Sequence, residues 1–163
     1  MGAAMHAPQP SSPLVHPVRQ VHSRVLAGLL LAASLSTSTF ANAADEVVIV
    51  SAKSPLTALR PDQVADIFLG QVANFPDGAE AVALDQRIGT PLRDEFYAKV
   101  AAKSAPLIKA HWSKMIFTGR GQPPREVGSS SAVRKLVADN PTLIGYIDRA
   151  ALDPSVKAVL MVR

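Results

Sequence analysis

The sequence contains no cysteine in its 163 residues. The chain therefore has no disulfide framework, and its stability must come from packing. A lipid anchor attached to a cysteine is excluded as well. Without thiolates, a zinc site would need several histidines, because zinc takes most of its ligands from these two residue types.

Histidine is also scarce, since only one of the four, His111, lies beyond residue 43. It stands beside Trp112 on an apolar helical face, where histidine is more often a packed or rim residue than a general base. Asp94 and Glu95 are adjacent on a predicted helix and point in different directions, so they are a poor carboxylate pair. Gly119-Arg120-Gly121 is too short for a dinucleotide fingerprint. We predict no enzymatic activity, no metal and no cofactor.

Acidic residues are absent from the first 44 positions, whose other features are typical of a secretory leader. Arg19 and Arg24 precede an apolar run over residues 25–35, and Ala41-Asn42-Ala43 provides a small-x-small cleavage site. The run is too short to span a bilayer. We predict that residues 1–43 are a signal peptide that is removed and that residues 44–163 form a periplasmic domain without a membrane anchor.

The charge of the remaining chain is nearly balanced. Cleavage after residue 43 removes two basic residues and no acidic one, so the formal charge falls from +4 to +2. A nucleic-acid-binding surface would need clustered Lys and Arg, which this composition does not favour. About 120 residues suit one domain with a single modest core.

Apolar periodicity predicts alternating strands and helices. Strands are predicted over residues 46–50, 81–84, 144–147 and 156–162, and helices are predicted to begin at Pro61, at Pro91 and after the capping candidates Ser104 and 129–131. The β-branched run 46–50 is expected to lie centrally in the sheet. The alternation predicts an α/β fold: a single sandwich domain with helices packed on a mostly parallel or mixed sheet.

The third predicted helix carries a broad apolar face, composed of Leu107, Ile108, His111, Trp112, Met115 and Ile116. Trp112 and Phe117 are expected to be core aromatic residues. Residues 119–126, rich in glycine and proline, are expected to form a loop. Tyr146 fits either the core or a site.

Residues 81–96 read as a strand, a glycine turn and a helix start in immediate succession. Thr90 suits the N-cap and Pro91 the first helical position. Free amides and the positive end of the helix dipole favour a small anion there, with Arg87 and Arg93 nearby. Arg120 could line the same mouth. The alternative is that the helix simply begins here and the arginines face water.

Three stretches, in this order, resemble phosphate ABC-transporter substrate-binding proteins. Residues 61–70 with 74–78 (PDQVADIFLG and NFPDG) and residues 140–147 (NPTLIGYI) resemble segments of that family, and residues 112–121 (WSKMIFTGRG) are similar to a short, single-domain branch of it. The resemblance covers nearly all of residues 44–163. It implies the fold of one lobe of a type 2 periplasmic binding protein.

The resemblance also implies a ligand site. Family members clamp phosphate between two lobes, and one lobe contributes a Ser-Gly-Thr turn at a helix start, which Ile88-Gly89-Thr90 matches at Gly89 and Thr90. Arg87 and Asp85 stand near the positions of the family's arginine and aspartate. The candidate oxyanion site is thus Asp85, Arg87, Gly89, Thr90, Arg93 and Arg120. The first-lobe half of the clamp is missing.

Two functions follow as hypotheses. The first is a periplasmic solute-binding domain that binds phosphate or a similar oxyanion weakly and serves an ABC transporter permease or a sensor. The second is an interaction module of the cell envelope that keeps the lobe fold and binds another envelope protein or a second copy of itself, since homodimerisation could rebuild a two-sided cleft.

Overall fold

The structure is a computed structural model that describes residues 45–163, so the predicted signal peptide lies outside the described residues. Along the chain the elements are β1 (Glu46–Ser51), α1 (Pro61–Phe68), β2 (Val82–Gln86), α2 (Pro91–Ala101), α3 (Ala105–Phe117), β3 (Arg125–Val127), α4 (Ser130–Asp139), β4 (Leu143–Asp148), a 3₁₀ turn (Arg149–Ala151) and β5 (Val156–Val162). No helix within residues 45–163 is long and apolar enough to cross a membrane.

The five strands form one mixed sheet in the order β3-β2-β4-β1-β5. β2 runs parallel to β3 and β4, whereas β1 is antiparallel to β4 and β5. Helices cover both faces. The predicted α/β domain with helices on a mixed sheet is confirmed.

β1 is an interior strand, as its near-continuous apolar sequence predicts. All six of its residues are buried, and it pairs with a neighbour on each side. Val48 and Val50 face a core shared with α1, α2 and α3, while Val47 and Ile49 face a second core under α4. Burial on both faces is what favours continuous rather than alternating apolarity in a strand.

The structure extends the predicted strand β2 and adds a strand that the sequence does not predict. β2 continues past Leu84 to Gln86, which places Asp85 inside the strand. Residues 119–126 are not entirely loop, because Arg125–Val127 pairs with β2 as the edge strand β3. Three residues after Pro123-Pro124 carry no period-2 pattern, so sequence alone gives no strand signal there.

The apolar face predicted for α3 is only partly buried. Ile108 and Trp112 pack in the core, but Leu107 and Ile116 are exposed. Phe117, expected in the core, is 93% exposed, so that prediction is wrong. The fully buried line is the i, i+4 pair Ile108–Trp112, and Met115 packs partly buried beside it, so the packed stripe is narrow.

Gly145 in β4 lets α4 approach the sheet closely. A Cβ at this position would lie 2.4 Å from Val133 Cγ1 and 3.5 Å from Val137 Cγ2. Val133 is fully buried and β-branched, so its methyl groups have little freedom to move aside. The Gly145→Ala variant should therefore lose about 1–3 kcal/mol of unfolding free energy by overpacking, measured by urea denaturation. Gly78→Ala is a poor control because its φ is +88°, but Lys135→Gly, at an exposed position of α4, should cost about 1 kcal/mol through helix propensity alone. Equal stability of Gly145→Ala and the parent would contradict this packing.

Candidate functional site

A buried hydrogen-bond network lies at the carboxyl end of β2, centred on Asp85. Its Oδ1 accepts from the Gln86 amide at 2.8 Å and from the Tyr146 hydroxyl at 2.5 Å. Its Oδ2 accepts from Arg93 Nε at 2.9 Å and from the Tyr97 hydroxyl at 3.0 Å. A carboxylate offers about four acceptor positions, so those of Asp85 are filled by the protein itself.

Arg93 is brought to this network by the first turn of α2. It is only 6% exposed, and its guanidinium carbon lies 5.0 Å from the centroid of the Tyr97 ring, over its face. Burial acts to lower the pKa of Arg93, but the adjacent Asp85 carboxylate outweighs burial and holds that pKa above its ordinary value. Within the described residues, only Nε of this guanidinium donates a hydrogen bond to protein. Its two terminal nitrogens thus remain available.

Two tyrosine hydroxyls hold the other side of the carboxylate. Burial raises the pKa of both Tyr97 and Tyr146, and the neighbouring Asp85 charge raises it further. Both phenols therefore stay protonated and act as donors. Phe96 stacks on the Tyr146 ring with centroids 3.7 Å apart, which fixes the ring in the core. Tyr146, left open by the sequence, belongs to this network as well as to the core.

A cavity of about 630 Å³ opens beside Arg93, between the β2–α2 junction, α3 and the segment before β3. Asp85, Gly89 and Arg93 are among the residues that line it. Its remaining walls are mainly apolar: Ile88, Ala105, Pro106, Ile108, Trp112, Ile116, Pro123 and Pro124. The cavity therefore combines an apolar wall with one buried guanidinium.

The cavity lies where the chain path divides between the two faces of the sheet. After β2 the chain forms helices on one face, and after the parallel neighbour β3 it forms α4 on the other. In open α/β sheets, ligands bind at the carboxyl ends of the strands at such a switch point. The cavity thus borders a position of the kind at which such sheets bind ligands.

Three of the six predicted site residues do not line this cavity. Thr90 occupies the N-cap position, but its hydroxyl donates to the Arg87 carbonyl at 2.8 Å and caps no helix amide, contrary to its predicted capping role. The exposed Arg87 guanidinium lies against Gly128, with Nη2 3.4 Å from the position of a Cβ there. Arg120 is exposed in the turn that follows α3.

The backbone amide just before the Gly-Thr pair is already hydrogen-bonded to an acidic side chain. The Ile88 N–H donates to Glu126 Oε2 at 3.1 Å, and Glu126 also lines the cavity. Lys109, on α3, is the second cation of the lining. Arg93 and Lys109 thus face Asp85 and Glu126, so the formal charges around the cavity cancel.

Sequence reasoning missed several of these residues. Lys109 is not among the predicted site residues, and the loop predicted over residues 119–126 gives Glu126 no role in a site. A local signal existed for Tyr97, which follows Arg93 by four residues and therefore lies on the same side of α2. No local signal existed for Glu126, since it reaches Ile88 across 38 residues.

The described residues include no cluster of three or more His, Asp or Glu side chains that could hold a metal ion. The sole histidine among them, His111, has Nε2 2.9 Å from the Leu69 carbonyl oxygen, at a part-buried position. This contact is that of a packed rim residue, as its sequence context predicts.

The fold is similar to part of several solved phosphate-transport proteins. One, from Clostridium perfringens, is described as a phosphate ABC transporter substrate-binding protein with bound phosphate; it is 28% identical, with a TM-score of 0.55, over 71% of this chain and 44% of its own. An ABC-type phosphate transport receptor from Vibrio cholerae is 21% identical, with a TM-score of 0.56, over 71% of this chain and 45% of its own. PstS from Borrelia burgdorferi is 15% identical, with a TM-score of 0.53, over 71% and 46%.

These matches support a binding-protein-like fold and show how much of such a protein the chain corresponds to. The chain spans less than half the length of each of the three structures, so it resembles a part of them. The matched structures are binding proteins rather than enzymes by their descriptions. No family model and no curated protein matches the sequence.

Proposed function

We propose that this chain is a periplasmic solute-binding domain that binds phosphate or a similar oxyanion weakly, in connection with ABC-type uptake or sensing. The same proposal includes export by the predicted signal peptide of residues 1–43 and a function without catalysis. The matched structure from Clostridium perfringens supports it, since it is described as a phosphate ABC transporter substrate-binding protein with bound phosphate.

The observation that carries the proposal is Arg93. A buried guanidinium that uses Nε for Asp85 still offers two terminal nitrogens, and it lies on the wall of an accessible cavity. Arginine favours planar recognition of oxyanions, and charge-assisted hydrogen bonds are the stronger ones. Gly89, at the start of α2, lines the same cavity and adds the positive end of the helix dipole.

The six candidate residues take different parts in this proposal. Arg93 and Gly89 contact the anion, and Asp85 is a positioning residue, because its four acceptor positions are already filled and it fixes the guanidinium. Arg87, Thr90 and Arg120 have no part in it, since they lie off the cavity wall.

We expect inorganic phosphate to bind with a dissociation constant near the millimolar range, about −4 kcal/mol, because the cavity is open to water and residues 45–163 supply only one side of a site. Phosphate at about a hundred times its dissociation constant should stabilise the fold by about 2.7 kcal/mol and raise the melting temperature by several degrees. Thermal unfolding in phosphate and in chloride at matched ionic strength measures this shift, since salt alone screens surface charge.

The Arg93→Lys variant should lose most of the phosphate-specific shift, because lysine keeps the charge but not the planar fork of donors. Arg120→Gln is the matched control: it removes an exposed arginine away from the cavity and should keep the shift. Identical melting in phosphate and chloride at every concentration would remove the solute-binding proposal.

An interaction module remains the second candidate. The observation that favours it is a group of exposed apolar side chains on α3 and beside the cavity, among them Phe117, Leu107 and Ile88. Exposed apolar patches often mark interaction sites. Under this reading the partner is another envelope protein or a second copy of the chain, and phosphate leaves the melting temperature unchanged.

A further inference from the structure

We infer that the preferred ligand is an organic oxyanion, with an anionic head bound at Arg93 and an apolar body along α3. This inference rests on the proposed function and narrows its ligand class. It departs from inorganic phosphate, which has no apolar part.

The size and lining of the cavity point to the apolar body. About 630 Å³ lies within the 300–1,000 Å³ range of sites for organic small molecules, which are mostly apolar with a few placed polar groups. Ile108 and Trp112 form a buried wall, and Ile88 and Ile116 remain 65% and 48% exposed at the rim. An inorganic oxyanion at Arg93 would leave these apolar surfaces in water.

The charges around the cavity point the same way. Arg93 and Lys109 are offset by Asp85 and Glu126, so an anionic head meets little net positive charge. The Ile88 amide, which could have served an anion at the helix start, already donates to Glu126. A head group alone therefore gains little, and burial of an apolar body must supply the remaining affinity.

The head group still has a defined place. Arg93 is more than nine-tenths buried, and Asp85 holds its Nε at 2.9 Å. Fixing one edge of the guanidinium directs the terminal nitrogens without further loss of side-chain freedom on binding. The cavity thus provides an oriented donor at one end and a continuous apolar surface beside it.

Isothermal titration of the purified protein with inorganic phosphate and with phenyl phosphate tests the inference, because the two probes share the head group and differ in the apolar body. Phenyl phosphate should bind at least tenfold more tightly, equivalent to about 1.4 kcal/mol. The heat-capacity change on binding should be more negative for phenyl phosphate, since that change reports apolar burial.

Two variants on α3 locate the apolar contact. Ile116→Ser, at a residue that lines the cavity, should reduce the preference for phenyl phosphate at least threefold. Leu107→Ser is the matched control, since Leu107 is similarly exposed at 55% on the same helix but does not line the cavity, and it should keep the full preference.

The possible failures are distinct. Phosphate binding without a preference for phenyl phosphate overturns this inference and leaves the proposed function standing. A preference that survives Ile116→Ser and falls in Leu107→Ser overturns the assigned cavity. If neither probe binds, the proposed function fails and the inference fails with it.

Discussion

Replacement of Arg93 by alanine should lower the free energy of unfolding by about 3–5 kcal/mol, the usual cost of removing one partner of a buried ion pair. The variant leaves the Asp85 carboxylate buried and without its cation, although the hydroxyls of Tyr97 and Tyr146 still donate to it. Urea denaturation followed by circular dichroism measures the loss.

An exposed ion pair provides the control for this prediction. Arg60 pairs with Asp62 at 2.8 Å, and their side chains are 68% and 64% exposed. Arg60→Ala should therefore leave the free energy of unfolding almost unchanged. In an Asp85→Asn background, where the buried charge is absent, Arg93→Ala should cost less than half of its value in the parent. Equal costs in both backgrounds would show that Arg93 acts through packing and not through Asp85.

Glu46 should make the protein lose stability as pH rises from about 5 to 8. Its side chain is fully buried at the start of β1, and both carboxylate oxygens lack a hydrogen-bond partner among the described residues. Burial, with a further contribution from the charge of Glu95 and a smaller one from Asp148, raises its pKa from 4.5 to about 7 despite the opposing effect of Lys99.

The direction of this pH dependence follows from the raised pKa of Glu46. The folded state favours the protonated acid, so the stabilisation is complete below the unfolded pKa of about 4.5 and is lost as pH rises through about 7. A shift of this size corresponds to roughly 3 kcal/mol in total. Urea denaturation at a series of pH values from 5 to 8 should show the decline.

Glu46→Gln keeps the shape of the side chain and removes its ionisation, so its stability should change much less over this range. Glu80→Gln, at an exposed position, is the matched control and should decline with pH like the parent. The difference between the two variants isolates Glu46 from other groups that titrate in this range. A parent protein that is equally stable at pH 5 and pH 8 would contradict the prediction.

The fold follows largely from local patterns in the sequence. The β-branched run at Val47–Val50 is typical of an interior strand, Pro61 and Pro91 open helices at their first positions, and Ser129 caps α4 by accepting from the Ala132 amide. Each of these features depends on residues close together in the chain. Sequence reasoning about them therefore agrees with the structure.

The candidate site could be predicted only in part, because its contacts are long-range. The junction of β2 and α2 is visible in the sequence, and it contains Asp85, Gly89 and Arg93. The contact of Tyr146 with Asp85 joins residues 61 positions apart, and no periodicity encodes it. Arg87 and Arg93 look equivalent in sequence. The packing of α2 buries Arg93, whereas Arg87 precedes the helix and is exposed.

The burial predicted for the apolar face of α3 failed for a different physical reason. An apolar helical face predicts burial, but the residues that would cover Ile116 and Phe117 are not supplied by the described part of the chain. A sequence pattern reports that a surface is apolar and not what covers it. The same pattern therefore fits a core, a ligand wall and an interface.

The contact between Glu126 and the Ile88 amide makes the protein its own competitor for anions. Pairing of β3 with β2 holds the carboxylate close to that amide, so it acts as a tethered ligand with an effective concentration on the order of millimolar or above. A free anion below that concentration leaves the amide with Glu126. The Ile88 amide is thereby insensitive to dilute inorganic anions, and at low ligand concentration Arg93 and Gly89 are the groups left to bind them.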